Sequence, residues 1–300
     1  MYICFVTDKD EPLLTKDDRV LAQYLLSKNI TIEAAIWDDE KVLWQQYDVI
    51  ILRSTWDYHT QTGKFNKWLD QLELLSCKVL NAVSIIRWNL NKKYMLDFSS
   101  KETIFPPFQF CLQKSGSSLS AIMKANNWHK AVVKPAVSCG SFNTWVTTAS
   151  SAAGDEKLFQ EMLCDGDVLV QEFMDEVTEN GELSLIFFNK KFSHAVLKKA
   201  RPGDFRVQAK FGGTIGAIDP GNIVIARAQA ILNSIDEPLL YARVDGIPMN
   251  NGDFYLMEVE LIEPALFIQN NEASCESFYR ALHDVVYSIT TQLNPQESGC

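Results

Sequence analysis

No run of eighteen apolar residues occurs in the sequence, so no segment of it is expected to cross a membrane as a helix. None of the seven cysteines forms a C-x-x-C pair, and their odd number and scattered spacing speak against zinc fingers and a disulfide scaffold. Basic residues are in deficit: 28 Lys and Arg face 38 Asp and Glu, and the net charge of -10 argues against a surface built to coat DNA or RNA. The motifs H-E-x-x-H and G-x-S-x-G are missing, as are the P-loop and the dinucleotide G-x-G-x-x-G. His59, His129, His194 and His283 share no metal-ligand spacing. The first residues, MYICFVTDKDEP, lack a cationic leader before a long apolar run and read as an internal strand, so a cytoplasmic location is expected.

What is present is 300 residues at 47% hydrophobic, enough for two or three small cores meeting at a cleft. Short apolar strands at Tyr2–Val6, Ile30–Ile36, Val49–Leu52 and Lys78–Leu80 alternate with amphipathic stretches at Asp17–Ser27 and Phe65–Leu75. That order predicts a mostly parallel sheet covered on both faces, with RSTWDYH (Arg53–His59) as a loop at the strand ends. Pro106–Pro107 marks a boundary, and an α+β unit follows to about residue 173. The remainder reads as strands at Leu183–Asn189, Phe192–Lys198, Leu239–Asp245 and Phe254–Leu261, with helices near Asn222–Ser234 and Glu276–Thr290 and a frayed tail, NPQESGC. Domains are therefore expected at 1–103, 104–173 and 174–300.

Strand parity picks out the chemistry. In Phe254–Leu261, Glu258 and Glu260 share one face, and in YARVD the pair Arg243 and Asp245 does the same. If the strands pair, Asp245, Glu258 and Glu260 converge; three carboxylates without counter-charge would repel, and a hard cation such as Mg²⁺ relieves this. An exposed acidic sheet face is the alternative. Between Lys190 and Lys210 stand seven basic residues against one acid, Asp204, with Arg201 and Arg206 presented by RPGDFR. Lys190 and Lys191 are expected in a solvent-facing hairpin turn. FGGT (Phe211–Thr214) would let the backbone approach a ligand closely. Lys134 ends the apolar strand AVVK, where an amine needs solvent or an anion. The following loop, with Ser138, Cys139, Gly140 and Ser141, offers small residues that could close over phosphates or form an ordinary turn. VLVQEF brings Gln171, Glu172 and Phe173 to a strand end suited to an adenine ring, and equally to a strand leaving a core.

Taken together, NKKY, VVKPAVSCG, VLVQEF, GELSLIFF, FSHAVLKKARPGDFRVQ, FGGT, YARVDG and MEVELIEP resemble the ATP-grasp family. The likeness runs from about residue 89 to 265 and is strongest to the glutathione-synthetase-like ligases and the cycloserine-forming cyclo-ligase branch. It implies an α/β and α+β architecture: an N-terminal parallel-sheet domain, a central α+β lid and a C-terminal mixed-sheet catalytic domain. It also implies that Lys92, with Lys93 as competitor, and Lys134 contact ATP phosphates, that Gln171, Glu172 and Phe173 line the adenine, and that Glu182 lies near the ribose. Asp245, Glu258 and Glu260 would take the metal positions, for two Mg²⁺ ions with Mn²⁺ able to substitute. Arg206, Lys198 and Arg201 would face the transferred phosphoryl group and acyl substrate. Two departures stand out: SCGSFNT carries fewer glycines than the phosphate loops of many relatives, and Glu260 replaces the asparagine of glutathione synthetase. Glu263 reads as a substrate or metal contact or as a solvent-facing acid, and His194 or Glu263 as a general base.

The expected activity is ATP-dependent joining of a carboxylate to an amine through an acyl phosphate, with release of ADP and phosphate. The rival readings are a small-molecule kinase and a nonenzymatic nucleotide-binding regulator. Small-molecule acid and amine partners are expected, with no nucleic acid or membrane; self-association and a protein substrate stay open.

Overall fold

The computed structural model describes residues 1–98, 103–204, 206–207, 211–249 and 251–293, with side chains described through 286. Lys210 and the tail NPQESGC lie outside the described residues. Among the described residues no helix is long and apolar enough to cross a membrane.

Strands β1 (Tyr2–Thr7), β2 (Thr31–Ile36), β3 (Val49–Ser54) and β4 (Val79–Leu80) form a parallel sheet in the order β2-β1-β3-β4, with helices α1 (Lys16–Ser27) and α2 (Thr62–Leu74) packed alongside. β1 and β3 are near-continuous apolar runs because helices or loops cover both their faces. Thr15 caps α1 by accepting from the Asp18 amide, and its hydroxyl donates to the Asp18 carboxylate at 2.7 Å. This reciprocal cap fixes where Asp18 points, which matters below.

Two helices follow, α3 (Val83–Leu90) and α4 (Met95–Phe98), joined by a 3₁₀ turn over Lys92–Tyr94. Strands β5 (Phe108–Cys111), β6 (Lys130–Pro135), β7 (Trp145–Thr148) and β8 (Val168–Glu172) form an antiparallel sheet ordered β5-β8-β6-β7, with α5 (Leu119–Ala125) and α6 (Ala152–Asp165) packed on one face. Ala131, Val133, Val168 and Val170 fill that helix-covered side. By strand alternation Val132, Lys134, Leu169 and Gln171 occupy the other.

After the short α7 (Glu176–Glu179), the chain forms β9 (Glu182–Phe188), β10 (Lys191–Lys199), β11 (Thr214–Ile218), helix α8 (Asn222–Asn233), β12 (Tyr241–Pro248), β13 (Phe254–Glu260) and helix α9 (Ser274–Leu293). The five strands are antiparallel in the order β11-β10-β9-β12-β13. Leu183, Leu185, Phe187, Ala242 and Val244 pack toward α8, whereas Ile186, Phe188 and Tyr241 on the other face join the core of the N-terminal sheet. Glu182, Lys198, Arg243, Asp245, Glu258 and Glu260 share that second face.

Observed boundaries depart from the sequence expectation by a helical turn at most. The helices and strands without a forecast, among the described residues, were α3, α4, α5, α7, β5 and β11. β11 is largely exposed and β5 is half-exposed, so neither shows an apolar rhythm. Lys190 is corrected from its solvent-facing assignment: its ammonium reaches back to the Ile235 carbonyl, while Lys191 does stay exposed.

Candidate active site

The register of β12 and β13 sets Asp245 opposite Glu258 and Arg243 opposite Glu260. One strand over, Ser184 on β9 faces Asp245, and Lys198 on β10 faces Glu182. All lie on one face of the sheet. Each carboxylate of this face is held by a cationic side chain. Arg243 bonds Asp245 at 2.9 Å from both Nε and Nη2, and its Nη2 also donates to Glu260. Lys198 bridges Asp245 at 3.2 Å and pairs with Glu182. Lys92 reaches Glu258 at 3.1 Å and also donates to the Ser138 carbonyl and hydroxyl. Lys93 is exposed, so geometry favours Lys92 as the lysine of NKKY that enters the site.

The carboxylates differ in their charge balance. Burial alone would raise Asp245, but Arg243 and Lys198, with a 2.6 Å bond from Ser184, hold its carboxyl down at about 2. Glu260 is pushed up to about 7, by burial first, against the pull of Arg243 and with the charges of Asp245 and Glu258 adding. Lys198 is raised because Asp245 and Glu182 outweigh its burial. Among the described residues no three His, Cys, Asp or Glu side chains stand close enough to ligate a metal ion as they are. The donor set is nonetheless all hard oxygen, and Glu258 and Glu260 keep 31% and 29% side-chain exposure. Those two fit a magnesium ion once Lys92 and Arg243 yield. Asp245 has its oxygens occupied by Ser184, Arg243 and Lys198, so it fits least directly.

Lys134 approaches the site from the central sheet. Its Nζ bonds the Gln171 side-chain oxygen at 3.2 Å, and burial, reinforced by Lys92, pushes its amine down to about 8 against the pull of Glu258. The Gln171 side-chain nitrogen is buried without a hydrogen-bond partner among the described residues. Beside it lies an apolar cluster of Phe173, Val177, Val207 and Ile247, rimmed by half-buried Val132, Met174, Met249 and Met257. Lys130 stands 3.4 Å over the Phe173 ring. The picture of Phe173 at an exposed strand end is corrected. It is 8% exposed, its amide donates to the Lys130 carbonyl, and the Glu172 amide donates to that of Pro107. Those two amides serve the sheet, which leaves the Gln171 side chain and the apolar rim as the groups that could meet a ligand.

In the loop after β6, Gly140 and Ser141 both adopt positive φ, and Ser138 is tied to Lys92 and the Pro135 carbonyl. The Phe142 ring packs at a tilt against His59, centroids 4.7 Å apart, so this loop touches the N-terminal RSTWDYH segment. Arg201 and Arg206 are both tied to Asp204, Arg206 at 2.9–3.0 Å with its guanidinium 3.8 Å from the Phe211 ring. FGGT serves a different purpose from the one expected: a Cβ on Gly213 would sit 2.2 Å from the Val207 carbonyl oxygen, so the close approach is to the chain's own backbone. His194 is buried, with Nε2 2.9 Å from the Leu266 carbonyl and Nδ1 3.0 Å from Ser193, and burial lowers it. Both ring nitrogens are engaged, which removes it as a free base. Glu263 is buried rather than solvent-facing, and burial together with Glu260 and Glu258 raises it far above the carboxylate range.

Sequence reading missed the residues that hold β13 in place. Asn89 donates to the Val259 carbonyl and accepts from the Leu261 amide at 2.8 and 2.9 Å, imitating a neighbouring strand along the edge that carries Glu258 and Glu260. Tyr94 accepts from the Val259 amide, and Asn81 bonds Tyr241, Leu261 and Leu240. Asparagines set in the apolar stretches VLNAV and IIRWNL were the available signal.

Residues 3–81 match the family model for the N-terminal domain of D-cycloserine synthetase DcsG. The cycloserine biosynthesis protein DcsG of Streptomyces lavendulae is 26% identical over 294 residues, covering 93% of this chain and 97% of that protein. The crystal structure of D-cycloserine synthetase DcsG superposes with a TM-score of 0.85 at 24% identity, over 95% of this chain and 99% of that one. D-alanine–D-alanine ligase from Bacillus anthracis, complexed with ATP, gives a TM-score of 0.69 at 14% identity over 97% and 99%. The chain has the ATP-grasp fold and is homologous to DcsG along nearly its whole length.

Proposed function

We propose that this chain is an ATP-dependent ligase that joins a carboxylate to an amine, forming an amide or a cyclic amide. The supporting observation is the meeting of Lys92, Lys134 and Lys198, from three separate segments, around the face that carries Asp245, Glu258 and Glu260. Cations and carboxylates so interleaved can hold a magnesium-bound triphosphate. The fold shared with an ATP-complexed ligase adds support.

In this reading the substrate carboxylate attacks the γ-phosphorus, ADP leaves, and an acyl phosphate forms. The amine then attacks the acyl carbon and phosphate departs. Lys134 and Lys92 offset the charge of the transferring group, and Arg243 is placed to stabilise the acyl oxygen. The adenine occupies the slot of Val132, Met174 and Met257, with the free Gln171 nitrogen as its polar contact. Magnesium would be held by Glu258 and Glu260, where it screens the phosphate oxygens. The loop over Ser138–Ser141 covers the phosphates and keeps water from the acyl phosphate.

The test is incubation with ATP, Mg²⁺ and panels of acids and amines, following ADP release and product mass. Amide formation with equal ADP supports the reading. A stable phosphorylated product without amide would favour the kinase, and ATP binding without ADP release the regulator.

A further inference from the structure

The loop after β6 carries Phe142 at its tip. The chain turns twice there: the Phe142 amide donates to the Cys139 carbonyl at 3.1 Å, and the Thr144 amide to that of Ser141 at 3.3 Å. Phe142 is 43% exposed, and no other Phe, Trp or Tyr among the described residues is exposed to that degree. Its ring nevertheless meets His59, which belongs to the RSTWDYH segment after β3, with centroids 4.7 Å apart.

The two partners are held differently. His59 stands on a 3₁₀ turn, Tyr58–Thr60, with Nδ1 2.8 Å from the Trp56 carbonyl oxygen. It is the outer ring of a row: Tyr58 lies edge-on to it and stacks on Phe65 at 4.9 Å, and Phe65 meets Trp37. Tyr58, Phe65 and Trp37 belong to the core between the N-terminal sheet and α2, and the Trp37 indole fixes Asp57 through a 2.6 Å bond. His59 is thus a post set in packed structure, whereas Phe142 rides on the loop's own turns.

At its root the same loop is held through Lys92. The Lys92 amide donates to the Ala136 carbonyl at 2.8 Å. Its ammonium has three protons, and they serve the Ser138 carbonyl, the Ser138 hydroxyl and Glu258. A phosphate oxygen that draws on this ammonium displaces one of those acceptors, which loosens the root. The tip contact does not depend on Lys92. A ring pair is weak enough to part once per turnover and directional enough to fix where the loop lies.

We propose, resting on the nucleotide site of the ligase reading, that Phe142 and His59 are positioning residues: their ring contact latches the phosphate loop of the central sheet to the N-terminal sheet's fixed segment and holds it shut over bound nucleotide.

Stopped-flow release of mant-ADP, a ribose-labelled fluorescent ADP, from the whole chain with Mg²⁺ tests the latch, because a shut loop must open before the nucleotide leaves. Phe142→Ala and His59→Ala should each speed release by about three- to tenfold. Phe142→Tyr keeps the ring and should release like wild type. The double variant Phe142→Ala, His59→Ala should be no faster than the faster single one, since losing either partner already opens the latch. If His59→Ala does not fold, Phe142→Ala and Phe142→Tyr decide. Wild-type release from Phe142→Ala, equal acceleration in Phe142→Tyr, or multiplied effects in the double variant would overturn the proposal. Failure of mant-ADP to bind the wild-type chain would instead count against the ligase reading.

Discussion

Two cationic regions of the molecule invite comparison: the face where Arg243, Lys198 and Lys92 interleave with carboxylates, and the loop where Arg201 and Arg206 share Asp204. On the face, paired strands dictate each side chain's direction, and burial makes every charge depend on its neighbour. In the loop, one carboxylate serves two arginines, Arg201 is 61% exposed, and water screens what remains. The same residue type is thus structural capital in one place and loosely committed in the other. Removing a cation from the face should damage folding and chemistry together, and removing one from the loop should cost little stability.

The largest effect expected is from Arg243→Met. It leaves buried Asp245 with Lys198 as its remaining cation and takes the guanidinium from part-exposed Glu260, and stability should fall by about 3–5 kcal/mol in denaturant titrations. A loss near zero would mean that the face tolerates bare carboxylates, and the contrast with the loop would vanish. Glu258→Gln comes next. It keeps shape and the β13 edge bonds to Asn89 and Tyr94, so the melting temperature should stay close to wild type while ADP release drops about 10²–10³-fold. Unchanged turnover with normal Mg²⁺ dependence would defeat the metal role.

The same contrast explains what was legible in advance. Period-two alternation puts Glu258 with Glu260 and Arg243 with Asp245, because strand parity is a local property, whereas the pairing of the two strands is not. The resemblance supplied the three-part architecture. Their counter-charges were harder to assign: Lys92 arrives from a 3₁₀ turn more than a hundred residues away, and nothing in NKKY says which lysine turns inward. Loop residues were harder still. FGGT looked like a ligand-binding stretch until Gly213 met the Val207 carbonyl, and His194 looked available until the turn at Leu266 claimed it. Arg53 seemed part of a loop, whereas it ends β3 and is buried against Asp18. In each case the deciding contact is long-range, and local pattern carries no trace of it.

A third test uses pH. Lys134 belongs to the buried group, and burial lowers its amine from an ordinary 10.5 to about 8. Between those values the unfolded chain binds a proton that the folded chain does not, so Lys134 makes stability rise with pH across that window. Its burial penalty is fully present below about 8. ATP binding should have the opposite slope, because phosphate oxygens favour the charged amine. Nucleotide affinity should weaken as pH rises above about 8, by up to about tenfold per pH unit. Titrations at fixed excess Mg²⁺ would show this, and Lys134→Gln should flatten the profile while lowering affinity at pH 7. A wild-type profile as flat as the variant's would place the amine away from the nucleotide.

The smallest effects are expected in the loop. Arg201→Ala removes an exposed partner 3.7 Å from Asp204, and stability should change by less than about 0.5 kcal/mol. Arg206→Ala removes two bonds to Asp204 and the contact with Phe211, so its loss of stability should exceed that of Arg201→Ala. If Arg206 meets the acyl substrate during turnover, its removal should raise KM or lower kcat by about tenfold beyond that modest loss, whereas Arg201→Ala should leave both constants near wild type. Equal kinetic effects from the two variants would mean that Asp204 merely anchors the loop and that neither arginine reaches the reacting groups. Chemistry would then belong wholly to the buried face, where Arg243, Lys198 and Lys92 are already paired with carboxylates and a bound nucleotide would have to compete for them.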